Sequence, residues 1–250
     1  MTNAAIATRA LSKQYGSTTA VRSLDLEVPT GVVYGFLGPN GAGKTTTMRM
    51  LTGLIEPTEG QGTVAGTDIE RRRDLIEHIG LLPEEPPLYN ELTGREQLQF
   101  AADLRDIPWS DVSERAVGIC EDLDLAADLD RRIDGYSKGM RQKTAFAQAV
   151  MHDPAVVFLD EPTSGLDPRA AKTLRELIVD LASADTTVFL STHILPVVEE
   201  IADRVGVLYE GRLVAEGSPE GLVGRTAAEA SADADLEDAF LELTSERAQA

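Results

Sequence analysis

Nine consecutive residues, Gly38-Pro39-Asn40-Gly41-Ala42-Gly43-Lys44-Thr45-Thr46, have the types and spacing needed to hold phosphate. They follow the pattern G-x-x-x-x-G-K-[ST], with an apolar strand-like run before them and a helical run after. Glycine lets the backbone curl until successive N–H groups point at one place, where phosphate oxygens can accept them. A helix that opens there adds the positive end of its dipole. At this spacing Lys44 reaches the β- and γ-phosphates of a nucleotide, and the Thr45 hydroxyl can hold Mg2+. A Gly-rich turn serving only to start a helix leaves Lys44 and Thr45 unexplained.

A second constellation is Val156-Val157-Phe158-Leu159-Asp160-Glu161-Pro162. Its apolar residues read as a buried strand that delivers two carboxylates at its C-terminal end, where α/β proteins place ligands. Asp160 would support the Mg2+ shell, and Glu161, one residue on, is placed to polarise a water as general base. An acidic pair at a strand end is weak evidence alone. Together with the phosphate loop it points to a nucleoside triphosphatase.

The elements that must carry these residues are legible around them. Val32 to Leu37, ahead of the loop, is a continuous apolar run, the pattern of a strand covered on both faces, and Thr45 to Leu54 reads as a helix. Upstream, Ala4 to Leu11 and Leu24 to Val28 read as strands around a turn at Tyr15-Gly16-Ser17. From about Glu85 to Val150 the periodicity is helical, and Thr93 with Glu96 makes a capping box for a helix running to Leu104. Strand patterns return at Ala155 to Leu159 and Thr186 to Leu190. A hairpin follows, Val205 to Tyr209 turning at Glu210-Gly211 into Arg212 to Ala215. Residues 226–235 read as a flexible, acidic link, and Leu236, Phe240 and Leu243 fall at the spacing of a short docked helix. This order predicts a parallel α/β core with an inserted helical subdomain. The expected boundaries are a domain over 1–225, with core 1–84 and 150–225 and insertion 85–149, and a tail over 226–250.

Three further elements carry a family resemblance. Tyr136-Ser137-Lys138-Gly139-Met140-Arg141-Gln142, Ser164-Gly165-Leu166-Asp167 and Ser191-Thr192-His193 resemble the signature motif, D-loop and switch histidine of the ATP-binding-cassette (ABC) ATPases. Tyr15 is placed as in the family's aromatic loop, where it would stack on adenine. The resemblance covers residues from about Ala5 to Leu222. It implies the ABC ATPase type of P-loop fold: a mainly parallel core sheet, an N-terminal antiparallel β subdomain and an inserted helical subdomain. It also implies ATP and Mg2+ as ligands and a mechanism that needs two copies. Ser137 and Gly139 would contact the γ-phosphate of ATP held by the other subunit's Lys44, and His193 would orient the attacking water. His78 and His152 have no such context and read as structural or surface residues.

Two departures from the family pattern narrow the branch. Tyr136, Lys138 and Met140 replace the first, third and fifth residues of the usual Leu-Ser-Gly-Gly-Gln, while Ser137 and Gly139 are kept. Glu84, in Ile79-Gly80-Leu81-Leu82-Pro83-Glu84, stands where glutamine is typical, and a carboxylate there can still bind Mg2+ or its water. Both departures, and the tail Leu236 to Leu243, resemble single-cassette ATPases that pair with separate multi-span membrane subunits and export drugs, lipids, polysaccharides or ions. The resemblance therefore implies an ATP-hydrolysing subunit that dimerises with itself or a homologous ATPase subunit and powers export. A soluble ABC ATPase of cofactor assembly is the alternative. Glu85-Pro86-Pro87-Leu88-Tyr89, stiffened by proline and carrying apolar side chains, is the expected docking place for the membrane subunit.

Composition bounds the setting. The chain has 23 basic and 42 acidic side chains, a net charge of -19, and only five lysines: Lys13, Lys44, Lys138, Lys143 and Lys172. Such a surface repels phosphate backbones, so no nucleic-acid partner is expected. The acid-rich, lysine-poor pattern is similar to that of proteins from extreme halophiles, where concentrated salt screens self-repulsion. The single cysteine, Cys120, excludes an internal disulfide and reads as a core thiol. No leader-like start and no run of ~18 apolar residues is present. The expected location is the cytoplasm, peripherally on the inner face of the cell membrane.

Overall fold

The computed structural model describes residues 4–226 and 235–248. Among the described residues ten strands fall into two sheets. In chain order they are β1 (Ala4–Tyr15), β2 (Thr18–Pro29), β3 (Val33–Leu37), β4 (Glu59–Val64), β5 (Thr67–Asp68), β6 (Ile79–Leu82), β7 (Val156–Asp160), β8 (Thr187–Thr192), β9 (Arg204–Tyr209) and β10 (Arg212–Gly217). The smaller sheet, β2-β1-β4-β5, is antiparallel; the larger, β10-β9-β3-β8-β7-β6, is parallel except for the β9–β10 hairpin. A mostly parallel sheet beside an antiparallel β subdomain is the arrangement expected from the sequence.

Strand β3 sits inside the larger sheet because its residues leave it no exposed face. Val33, Tyr34, Phe36 and Leu37 are each 1% exposed or less. Tyr34 stacks on Phe189 of β8 at 5.6 Å, and Phe36 tilts against the same ring at 5.0 Å. Each such side chain contributes roughly 1.5–3 kcal/mol by leaving water. The result is a register in which Leu37 pairs with Thr192 and Asp160 with Ser191. The C-terminal ends of β3, β7 and β8 therefore lie side by side, and the segments beginning at Gly38, Glu161 and His193 leave from that one edge.

The helices are α1 (Lys44–Leu51), α2 (Arg72–Leu75), α3 (Gly94–Asp103), α4 (Trp109–Asp122), α5 (Lys138–Val150), α6 (Pro168–Ser183), α7 (Leu195–Ile201), α8 (Pro219–Thr226) and α9 (Leu236–Ala248). The capping box that starts α3 forms as the sequence predicts: Glu96 N–H donates to Thr93 Oγ1 at 3.2 Å, and Thr93 N–H donates to Glu96 Oε2 at 2.8 Å. Helices α3, α4 and α5 enclose Leu98, Ala102, Ala116, Cys120 and Phe146, all 1% exposed or less. Burial pushes the Cys120 thiol up to about 12, so it is inert at neutral pH.

Several elements differ from the sequence reading. Helix α1 stops at Leu51 rather than Leu54, because Gly53 turns left-handed at φ 67° just beyond Thr52. Residues 85–93 are not helical; Pro86 and Pro87 remove two backbone donors there. Strand β1 runs on to Tyr15, and β4 and β5 were unforeseen. Strand β4, Glu-Gly-Gln-Gly-Thr-Val, has little apolar alternation and is held by backbone pairing to β1, with Ile6 opposite Val64. In the tail, Leu236 and Ala239 of α9 are buried. The link read at 226–235 lies, over 227–234, outside the described residues. Among the described residues no helix is long and apolar enough to cross a membrane.

Candidate nucleotide site

The turn from β3 into α1 is shaped by Gly43. Its φ is 109°, and a Cβ there would sit 2.4 Å from the carbonyl oxygen of Ala20. Only glycine fits, so β2 and the loop approach each other backbone to backbone. The carbonyl of Ala42 accepts the N–H of Gly211 at 2.9 Å, which fastens the loop to the β9–β10 turn. Lys44 is 8% exposed. Its Nζ folds back into the loop and donates to Gly38 O at 2.7 Å and Pro39 O at 3.3 Å. Burial lowers its pKa, while Glu161, Asp160 and Glu84 pull it up. The ammonium is thus held between the loop and three carboxylates.

Those carboxylates are placed by the strand ends. Asp160, 5% exposed at the end of β7, accepts from Thr45 Oγ1 at 3.2 Å. Burial raises its pKa, and the hydroxyls of Ser191 and Thr45 act in the opposite direction. Glu161 follows in a left-handed conformation, φ 49°, with its N–H on Ser191 O at 2.9 Å. One carboxylate oxygen accepts from Thr192 Oγ1 at 2.9 Å; the other accepts the backbone N–H of His193 at 3.0 Å and lies 2.7 Å from His193 Nδ1. Glu84 lines a cavity of about 290 Å3 with Thr45, Met48, Arg49, Leu81 and Asp160.

This donor set fits Mg2+ bound through a nucleotide rather than in a protein cage. No cluster of three or more His, Cys, Asp or Glu suited to a metal occurs among the described residues. Thr45 and Asp160 supply two adjacent oxygens, and Glu84 lies on the same cavity. Mg2+ keeps waters and takes few protein ligands when phosphates complete its shell.

Ser137, Gly139 and the Ser164–Asp167 turn form a second cluster on the same chain. Ser137 is the N-cap of α5: its Oγ accepts the N–H of Met140 at 3.2 Å, which leaves its own O–H free to donate. A Cβ on Gly139 would lie 3.1 Å from Gly165 O. Asp167 caps α6, accepting from Arg169 N–H and Ala170 N–H, both at 3.0 Å. Tyr15 stands at the end of β1, 47% exposed, with Lys13 Nζ 5.4 Å from its ring centroid.

Three residues matter here that sequence reasoning passed over. Thr192 entered only as context for His193, yet it grips the Glu161 carboxylate. Gln142, 1% exposed, donates from Nε2 to Pro162 O at 3.1 Å and Glu161 O at 3.3 Å, tying α5 to the segment that carries Glu161. A polar side chain one turn into an apolar helix face was the available signal. Arg141 donates to Asn90 Oδ1 at 2.8 Å and so links α5 to the segment after Glu84. Conversely Leu88, read as a docking contact, is 8% exposed and belongs to the core, while Tyr89 is 54% exposed. His152 is structural: burial pushes it down to about 4, and its Nε2 lies 3.0 Å from Ile79 O.

Comparison with known proteins places this geometry. The sequence profile of the ABC transporter family matches residues 21–164. A bacitracin transport ATP-binding protein of Bacillus licheniformis is 40% identical over 213 residues, 84% of this chain and 69% of that protein. A daunorubicin/doxorubicin resistance ATP-binding protein of Streptomyces peucetius is 40% identical over 215 residues, 86% of this chain and 65% of that protein. Including an uncharacterized ABC transporter ATP-binding protein of Nostoc, the match spans 62–69% of these relatives' lengths. A solved ATP-binding subunit of an ABC transporter superposes with a TM-score of 0.88 at 29% identity, covering 95% of this chain and 98% of the other.

Proposed function

Because this chain belongs to the ABC transporter family, we propose that it binds and hydrolyses ATP and powers export through a separate multi-span membrane subunit. The observation that carries this reading is the Thr192–Glu161–His193 constellation standing one residue from Asp160, which accepts from Thr45 beside Lys44. The names of the bacitracin and daunorubicin relatives support export.

In this reading the backbone N–H groups of Gly38, Asn40, Gly41, Ala42, Gly43 and Thr46 wrap the triphosphate, and Pro39, which has no N–H, fixes the turn between them. Lys44 Nζ exchanges the carbonyls of Gly38 and Pro39 for β- and γ-phosphate oxygens, a stronger, charge-assisted partnership. Thr45 and Asp160 would hold Mg2+, with Glu84 beside them, and the ion would supply positive charge to offset that of the phosphates. Glu161 takes a proton from the attacking water, and His193 orients that water and its base. Tyr15 stacks on adenine.

The signature residues act in trans. Ser137 O–H and the N–H groups at the start of α5, including Gly139, complete the anion cage around ATP bound to a second copy. The nucleotide then holds the two copies together, and hydrolysis lets them part. Residues 1–225 form the cassette, 85–149 its insertion, and 226–250 a tail that carries α9 (Leu236–Ala248). The working place is the cytoplasmic face of the membrane, where Tyr89 offers an apolar contact to the membrane subunit.

Phosphate release by the purified chain, compared with Lys44→Ala, tests the enzymatic half. A loss of at least about 100-fold in the variant is expected. A wild-type chain that releases no phosphate from ATP and Mg2+ would end this reading. Co-purification of a multi-span protein with the tagged chain from detergent-solubilised membranes tests the transport half, and a soluble partner in its place would overturn it.

A further inference from the structure

Lys138 is out of place as a helix residue. It is the first residue of α5, where a cation opposes the helix dipole, and no acidic side chain stands in that first turn to offset it. It is exposed, yet it does not simply trail into solvent. Its Nζ donates to Ser164 Oγ at 2.9 Å, 26 residues away. Its stem crosses directly over Gly165: a Cβ on that glycine would lie 2.7 Å from Lys138 Cδ and 2.8 Å from Cγ. Gly165 has a φ of 77°, so the turn is both left-handed and bare where the lysine passes.

The turn that Lys138 grips is joined to the base. Ser164 N–H donates to Glu161 O at 3.0 Å, and the same carbonyl, with Pro162 O, receives Gln142 Nε2 of α5. The start of α5 and the segment 161–165 are therefore fastened at two places, by Gln142 from beneath and by Lys138 from the outer side. Ser137, adjacent to Lys138, has its O–H available for a phosphate outside its own chain.

We propose that Lys138 is a positioning residue. By holding Ser164, it makes the signature turn and the segment carrying Glu161 move as one unit. Contact of Ser137 with the partner copy's nucleotide thereby sets the base of the copy's own site. The inference rests on the reading that ATP is hydrolysed between two copies. It deepens that reading by assigning a role within one chain to the lysine that replaces a signature glycine.

The test uses Lys138→Met, which keeps the stem and removes the donor, together with Ser164→Ala, the double variant and Lys138→Arg. Each single variant should lower kcat about 10-fold with KM for ATP within 2-fold, the double variant should be no worse than either single, and Lys138→Arg should recover most of the rate. Hydrogen exchange without nucleotide gives an independent readout. The amides of Ser164 and Leu166 should exchange several-fold faster in Lys138→Met than in the wild type. Additive losses, a rise in KM confined to Lys138→Met, or unchanged exchange would overturn the proposal. A wild-type chain without ATPase activity would instead sink the functional reading, while the exchange measurement would still decide whether Lys138 holds the turn.

Discussion

His193 and Glu161 meet twice: the Nδ1 of the histidine lies 2.7 Å from Oε1 of the glutamate, and the histidine's backbone N–H donates to the same oxygen at 3.0 Å. The glutamate side chain is 12% exposed and the histidine 60%. A carboxylate held at the sheet edge thus faces solvent through an imidazole. With Thr192 on the other oxygen, the carboxylate has two donors and the His193 ring nitrogen around it, and a fixed orientation.

Glu161→Gln removes the proton acceptor but keeps the shape. Hydrolysis should fall about 10²–10⁴-fold, and ATP should trap a dimer visible by size exclusion in high KCl. His193→Ala should slow hydrolysis about 100-fold while ATP binding persists. A Glu161→Gln chain that stays monomeric with ATP and Mg2+ would rule out nucleotide-driven dimerisation.

His152 gives the fold an acid limit. Its pKa drops from 6.5 to about 4 through burial, with Arg105 and Arg115 adding to the effect and Ile79 O and Asp153 opposing it. The folded state therefore favours neutral imidazole. Its contribution is complete above pH 6.5 and is lost as pH falls toward 4. Between pH 7 and 4.5 the wild type should lose about 2 kcal/mol more than His152→Gln, read from urea midpoints at constant KCl. Equal losses would show that other groups set the acid limit.

Tyr89 separates docking from folding better than its neighbour does. Leu88 is buried, so Leu88→Ser would cost about 2–4 kcal/mol of stability and report on the core. Tyr89 is 54% exposed and braced edge-on against Phe100 at 5.2 Å. Tyr89→Ser should leave the ATPase rate of the isolated chain within about 2-fold and cut recovery of the membrane subunit about 10-fold, as expected for an aromatic anchor. Unchanged recovery would move the docking surface elsewhere.

The charge of -19 makes salt a direct probe of the surface. At low ionic strength the carboxylates repel one another, and molar KCl shortens the screening length to ~3 Å. The thermal midpoint should rise by about 10 °C or more between 0.1 and 2 M KCl. A flat profile would remove the halophilic reading and leave an ordinary acidic surface.

The phosphate loop was legible because its chemistry is local. Gly43, Lys44 and Thr45 are neighbours, and the demands of curled backbone, cation and hydroxyl all fall within one turn. Asp160 and Glu161 were legible for the same reason, as polar residues ending an apolar run. The capping box at Thr93 and Glu96 needed only a spacing of three. Strand β4 was not legible, because its place is dictated by the edge of β1 rather than by its own side chains. Leu88 misled because an apolar residue between prolines and a tyrosine looks the same whether it faces a partner or a core.

What the sequence by itself determined is an inventory and its local geometry: a Gly-rich turn opening a helix, an acid pair ending a strand, a serine cap at Ser137 and a histidine after a strand, each complete within a few residues. What only the tertiary structure decided is who meets whom. Thr45 reaches Asp160 across 115 residues, His193 reaches Glu161 across 32, and Lys138 reaches Ser164 rather than solvent. The first two contacts follow from the strand order β9-β3-β8-β7. That order is chosen by how Tyr34, Phe36, Phe158 and Phe189 pack between the two sheets, and burial energy summed over distant segments cannot be read from any one of them.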